Sequence, residues 1–249
     1  MSPRTFSNLA INPIAFGAFK IGRNVKTKYP SAYDMPDLNS VEDLLNSILD
    51  LGINLIDTAP AYGESESRIG QAIAHRRAEF FLSTKVGETF HEGHSHYDYS
   101  AAAVRASVHE SLRRLRTDHL DFVLIHSNGD DHRIMNETDC IATLQSLREQ
   151  GAIRHLGLSG KTVAGAVAAL AWADALMVEY HLSDTSHEAV IAQAARQGAA
   201  VLVKKGLASG QIPAAKAIPF VLKNSSVTSL VIGTLNVDHI RENLRLANS

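Results

Sequence analysis

"NLIDTAPAYGESESRIGQAI", residues 54–73, carries an apolar stretch into an aspartate, follows it with a loop holding one tyrosine, and then takes up helical spacing. A short apolar run bounded by turn formers reads as a strand buried on both faces, and apolar positions three and four apart read as a helix. The same strand-loop-helix unit recurs on both sides. Apolar runs at residues 13–19, 53–59, 80–86, 120–126, 153–159, 175–181, 199–205 and 229–234 alternate with amphipathic segments at 40–52, 65–76, 100–115, 137–151, 163–173, 187–198, 213–223 and 237–247. Ser40, Ser65 and Ser100 suit helix N-caps, and Gly52, Gly151 and Gly198 suit helix ends. Continuous apolar strands alternating with helices predict a parallel sheet covered on both faces. Eight such units in 249 residues predict an α/β fold of the (β/α)8 TIM-barrel type, with a doubly wound open sheet as its rival. No linker, low-complexity tract or longer repeat interrupts residues 1–249, so a single domain is expected.

Composition narrows the function classes. Hydrophobic residues make up 45% of the chain and charged residues 20%, which suits a globular protein with a large core. The formal net charge is -2 and no block of Lys or Arg occurs, so neither nucleic acid nor an anionic membrane is an expected partner. The one cysteine, Cys140, excludes an internal disulfide and fits a reducing compartment. Residues 1–19 are broken by Arg4, Asn8, Asn12 and Pro13 and make a poor signal peptide. The longest nearly apolar stretch, residues 163–173, is far short of the roughly 20 residues a membrane span needs. A cytoplasmic protein is expected.

In a barrel the active site gathers at the carboxyl ends of the strands, where Asp57, Lys85 and His126 fall, with Tyr62 in the loop above the second strand. Taken singly, each has a plainer role: a loop cap, a rim lysine, a satisfied histidine, a loop aromatic. Their conjunction on successive strand ends points to proton chemistry. A lysine at a barrel mouth is expected to pair with a carboxylate, here Lys85 with Asp57. An ammonium beside Tyr62 favours phenolate and makes the phenol a better acid, as protonation of a carbonyl oxygen requires. His126 would orient that oxygen or relay the proton.

"DTAPAYG", "STKVG" and "LIHSN", together with "PIAFGAFKIG" near the start and "VIGTLNVDHIRENL" near the end, resemble the aldo-keto reductase family over essentially the whole chain. The resemblance implies the barrel fold and hydride transfer between NADPH and an aldehyde or ketone. It implies Asp57, Tyr62, Lys85 and His126 as the catalytic set, with Tyr62 as general acid. On the cofactor side it implies Gly17 after the first strand and Ser159 at the carboxamide. There Gly160 stands in the usual place of Asn, and Met177 in that of Gln. Each missing neutral hydrogen bond costs on the order of 1 kcal/mol, so weaker binding follows but not its loss.

"VKKGLASG" resembles the family's loop over the pyrophosphate and implicates Gly206, Leu207 and Ser209. Lys204 or Lys205 stands where an aromatic often lies against the nicotinamide. Gly233, Thr234, Glu242 and Asn243 match residues around the adenosine and its 2′-phosphate. The basic residues common there are replaced by Leu235 and His239, and histidine cannot make arginine's bidentate phosphate contact. NADPH is implied on family grounds alone, with NADH possible. No metal is expected at His91, His94, His96 and Asp98, because their spacing fits no helical ligand pair. Phe19 and Lys20 are expected to face a small carbonyl substrate. Beside the reductase stand a nucleotide-binding regulatory subunit with little turnover and a Schiff-base lyase using Lys85. Oligomeric state is not legible.

Overall fold

The computed structural model describes residues 2–27 and 30–248. Its strands are β1 (Arg4–Phe6), β2 (Leu9–Ile11), β3 (Ile14–Gly17), β4 (Leu55–Asp57), β5 (Phe81–Val86), β6 (Glu88–His91), β7 (His94–Tyr97), β8 (Leu120–His126), β9 (Ile153–Ser159), β10 (Ala175–Glu179), β11 (Ala200–Lys204) and β12 (Ser229–Ile232). Its helices are α1 (Leu38–Asp50), α2 (Ser65–Ile73), α3 (Ala101–Leu115), α4 (Asp131–Glu137), α5 (Cys140–Glu149), α6 (Val163–Ala169), α7 (Glu188–Arg196), α8 (Ala214–Lys223) and α9 (Val237–Ala247). Eight strands close into a barrel in the order β3, β4, β5, β8, β9, β10, β11, β12, all parallel, with Leu230 on β12 paired to Ile14 on β3. The fold is the (β/α)8 barrel, and the open doubly wound sheet is excluded.

Side chains alternate along each strand, and the two parities feed two cores. Val123, Ile125, Val201 and Val203 face the helices and join the larger core. Ala15, Leu55, Phe122, Leu124, Ala175, Met177, Ala200 and Leu202 fill the barrel interior. Two residues beyond such interior positions lie Gly17, Asp57, His126 and Lys204, so the same parity carries them into the mouth. The barrel floor is closed by the β1–β2 hairpin, which the sequence pattern did not signal. Its Phe6 and Ile11 pack into the interior core, with the Phe6 ring 5.7 Å from Phe122 and 4.9 Å from His155.

Helix boundaries follow local chemistry. Asp37, not Ser40, caps α1: its side chain accepts from the Ser40 amide at 2.7 Å. Ser65 opens α2 but its hydroxyl turns inward, donating to the Ala18 carbonyl and accepting from the Thr58 hydroxyl. Ser100 does cap α3, and Gly52, Gly151 and Gly198 take positive φ after their helices. Helix α4 is additional to the expected pattern. Asp130 caps it through the Arg133 amide.

Candidate active site

At the barrel mouth, Asp57 and Lys85 are 2% and 1% exposed. The Lys85 ammonium donates to both Asp57 carboxylate oxygens at 2.9 and 2.8 Å and to the Thr58 carbonyl at 2.9 Å, which uses its three hydrogens. Ser83 donates a further bond to Asp57 at 2.8 Å. Burial alone would lower the Lys85 pKa, but Asp57 and Tyr62 raise it above the ordinary value. Lys85 therefore remains charged.

Tyr62 ends the turn Pro60–Tyr62, with the Lys85 ammonium 4.8 Å from its ring centroid. That turn is pinned by close approach: a Cβ on Gly22 would meet the Tyr62 carbonyl and the Ser65 amide at 2.2 Å. Phe19 lies edge-on to Tyr62, with ring centroids 5.1 Å apart. Burial pushes the phenol's pKa up, and Lys85 pulls against it without winning. The expected acidification is thus present as a force but not as the net shift, because dehydration of a phenolate outweighs one nearby ammonium that already serves Asp57.

His126 ends β8, its ring centroid 6.3 Å from that of Tyr62. Its Nδ1 lies 2.7 Å from Oε2 of Glu88, the first residue of β6. The two atoms are within ion-pair distance but are not aligned as a hydrogen bond, so Glu88 acts on the ring chiefly through its charge. Burial, Lys85 and Lys204 lower the His126 pKa against the opposing pull of Glu88. The Glu88 carboxyl is held at about 2: burial would raise it, but His126, Ser95 and Tyr97 bring it down. Sequence reasoning passed over Glu88, whose only signal is its place just beyond the third barrel strand.

A cleft of about 1000 Å³ runs across the mouth. Asp57, Tyr62, Glu88 and His126 line one side, Ser159, Gly160, Met177 and Lys204 another, and Gly206, Leu207, Ser209 and Gly233 the far end. Gly17, Phe19, Lys20 and Lys205 also line it. Lys204 donates to the Ser159 hydroxyl at 2.9 Å and the Gly160 carbonyl at 2.8 Å, whereas Lys205 pairs with Glu179. Dehydration, with Lys85 and Lys205 nearby, lowers the Lys204 pKa to about 7. Behind this wall Asp131 accepts from the Lys161 and Thr162 amides and the Thr162 hydroxyl, fixing the loop after β9.

Thr234, His239, Glu242 and Asn243 stand around the start of α9 and do not line the cleft. The Thr234 hydroxyl and His239 Nδ1 are 3.4 Å apart, and Glu242 is engaged by Arg245. The His-rich segment forms the β6–β7 hairpin, from which His94, Ser95 and Tyr97 reach the cleft while His91 and His96 face solvent. Cys140 is buried and its thiol is pushed up to about 12 by dehydration. Among the described residues no helix is long and apolar enough to cross a membrane.

The profile of the Aldo/keto reductase family matches residues 13–216. A D-arabinose 1-dehydrogenase of Saccharomyces cerevisiae is 33% identical over 160 residues, covering 62% of this chain and 44% of that protein. A pyridoxine 4-dehydrogenase of Escherichia coli is 27% identical over 271 residues, covering 98% of this chain and 93% of that protein. A solved structure described as a candidate aldo-keto reductase of Pseudomonas aeruginosa superimposes with TM-score 0.91 at 40% identity, covering 98% and 93% of the two chains. The chain spans less than half the length of several curated relatives it matches, at 44 to 46%.

Proposed function

The chain belongs to the aldo/keto reductase family, and from that premise we propose that it transfers a hydride between NADPH and a small aldehyde, ketone or sugar, with Tyr62 as general acid. The observation that carries this reading is the convergence in one cleft of Tyr62, the buried Lys85–Asp57 pair and His126. The reading takes residues 1–249 as one domain acting in the cytoplasm, without nucleic-acid or membrane partners.

The residues present fit a nicotinamide dinucleotide. The cleft is long enough to connect Tyr62 with the strand ends at Gly206 and Gly233, and bare backbone is available there. At Gly206 a Cβ would point into the core and meet Leu230 Cδ1 at 2.5 Å, so glycine there suits the packing beneath the cleft. Ser159 and Gly160 would hold the carboxamide, with Met177 beside it and Gly17 below. Gly206, Leu207 and Ser209 would hold the pyrophosphate with Lys205. Gly233 at the cleft's far end, with Thr234, His239, Glu242 and Asn243 beyond the cleft along α9, would hold the adenosine end. When bound, NADPH supplies the hydride.

The protein's own part is a proton at the Tyr62 hydroxyl. The phenol is protonated at neutral pH, as a tyrosine ordinarily is, and burial reinforces that state. The fixed charge of Lys85 stabilises the phenolate left behind when the proton passes to the carbonyl oxygen. Asp57 holds Lys85 in place and charged. His126, with the Glu88 carboxylate beside its Nδ1, would orient that oxygen or relay the proton. The lyase reading loses support, since an amine whose three hydrogens are engaged and whose pKa is raised is a poor nucleophile.

The test is oxidation of NADPH, with NADH in parallel, against aldehydes, ketones, quinones, aldoses and pyridoxal. Turnover of any member supports the reading. Nucleotide binding without turnover across the panel would favour a regulatory role.

A further inference from the structure

Lys204 presents a cation to the same cleft under different terms from Lys85. Among the described residues its ammonium hydrogen-bonds to neutral acceptors, the Ser159 hydroxyl and the Gly160 carbonyl. The charged and titratable groups facing it come from several elements. Lys85 on β5, Lys161 after β9 and Lys205 after β11 oppose its charge, and Glu179 on β10 favours it. His126 on β8 and His187 before α7 each feel the Lys204 charge as unfavourable. The one carboxylate among these, Glu179, is already claimed by Lys205. A further positive charge on the Ser159–Gly160 wall would thus meet a dehydrated ammonium whose nearby carboxylate, Glu179, is already shared with Lys205. The lowest-energy response is loss of a proton to solvent.

We propose that Lys204 reads the charge of the nicotinamide: the oxidised, cationic ring and the Lys204 ammonium exclude one another, so binding of NADP+ releases a proton from Lys204 and binding of NADPH does not. The inference rests on the reading that the Ser159–Gly160 wall receives the nicotinamide. Its consequence is a bias against the oxidised cofactor that grows as pH falls, which favours release of spent nucleotide after carbonyl reduction. By linkage, the dissociation constant for NADP+ rises about tenfold for each pH unit below about 7, while that for NADPH lacks this component.

The experiment is isothermal titration of the full chain with NADP+, NADPH and 2′-phospho-ADP-ribose, each in two buffers of different ionisation enthalpy and across pH. This fragment shares the titrating 2′-phosphate and the non-titrating diphosphate and lacks the nicotinamide, so it isolates the ring. The wild type is expected to release about one proton more with NADP+ than with the fragment at low pH. Lys204→Met removes the excess proton and flattens the NADP+ profile. Lys204→Arg keeps a permanent charge, so its NADP+ affinity is weak at every pH and no proton is released. Binding of the fragment is expected to be unchanged in both variants, which shows that they fold. NADP+ binding more tightly than the fragment without an excess proton would overturn the inference and spare the nicotinamide reading. NADP+ and the fragment behaving alike in all three proteins would overturn both.

Discussion

Lys85 and Lys204 both stand at the carboxyl ends of barrel strands, both point into the mouth, and their pKa values move in opposite directions. Lys85 is the more deeply buried, yet it is held charged by two carboxylate oxygens and a carbonyl at 2.8 to 2.9 Å. Lys204 finds a hydroxyl and a carbonyl at similar distances, and its pKa falls to about 7. Depth of burial therefore does not decide the charge state; the presence of a counter-ion does. One side of the cleft is a fixed electrostatic frame around Tyr62. The other is poised to change charge.

Removing Lys85 breaks the comparison most severely. Lys85→Met leaves the Asp57 carboxylate buried with only Ser83 for company, at an expected cost of about 3–5 kcal/mol in urea unfolding. A loss under about 1 kcal/mol would mean that Asp57 takes up a proton at little cost.

Lys204→Met sharpens the contrast through pH. A lysine whose pKa is lowered on folding is charged in the unfolded chain and neutral in the folded one between about 7 and 10.5. The unfolded state then binds the extra proton, so wild-type stability gains from rising pH across that window relative to below it. The variant is expected to lack this gain, and to lose nothing comparable to Lys85→Met at pH 7. Identical pH profiles for the two proteins would place Lys204 in water.

Glu88→Gln tests the frame one step further out. Glu88 raises the His126 pKa against burial, and an opposite charge within about 4 Å typically moves a pKa by about 1–3 units. The His126 titration followed by NMR is expected to drop by about one to two pKa units. No shift would deny Glu88 its positioning role. The smallest effect belongs to the exposed Glu242–Arg245 pair, where Glu242→Ala is expected to leave the urea midpoint unchanged.

What could be read without coordinates followed the two periodicities. Strands long enough to show an apolar run placed Asp57, Lys85, His126 and Ser159 at the mouth but left Lys204 and Lys205 undecided. Leu202 faces the interior, so Lys204 must do so while Lys205 turns away to Glu179. The three-residue strands β1 and β2 are too short to show a period, and they close the floor through Phe6 and Ile11, which resemble any apolar residues in sequence. The β6–β7 hairpin is built of His, Ser, Glu and aromatic residues, so no apolar alternation announced it or brought Glu88 to notice. Ser40 fits the cap composition as well as Asp37 does, and only backbone geometry selects the aspartate.

The most direct measurement is the rate of reduced-nucleotide oxidation with one accepted carbonyl compound in the wild type and in Tyr62→Phe, alongside NADPH affinity of both. The phenol lies beside Lys85 in the cleft, so its loss is expected to cut kcat by about 10²–10⁴-fold with NADPH affinity unchanged. Turnover retained within a few-fold of the wild type would contradict Tyr62 as general acid, and with it the account of the Lys85–Asp57 frame.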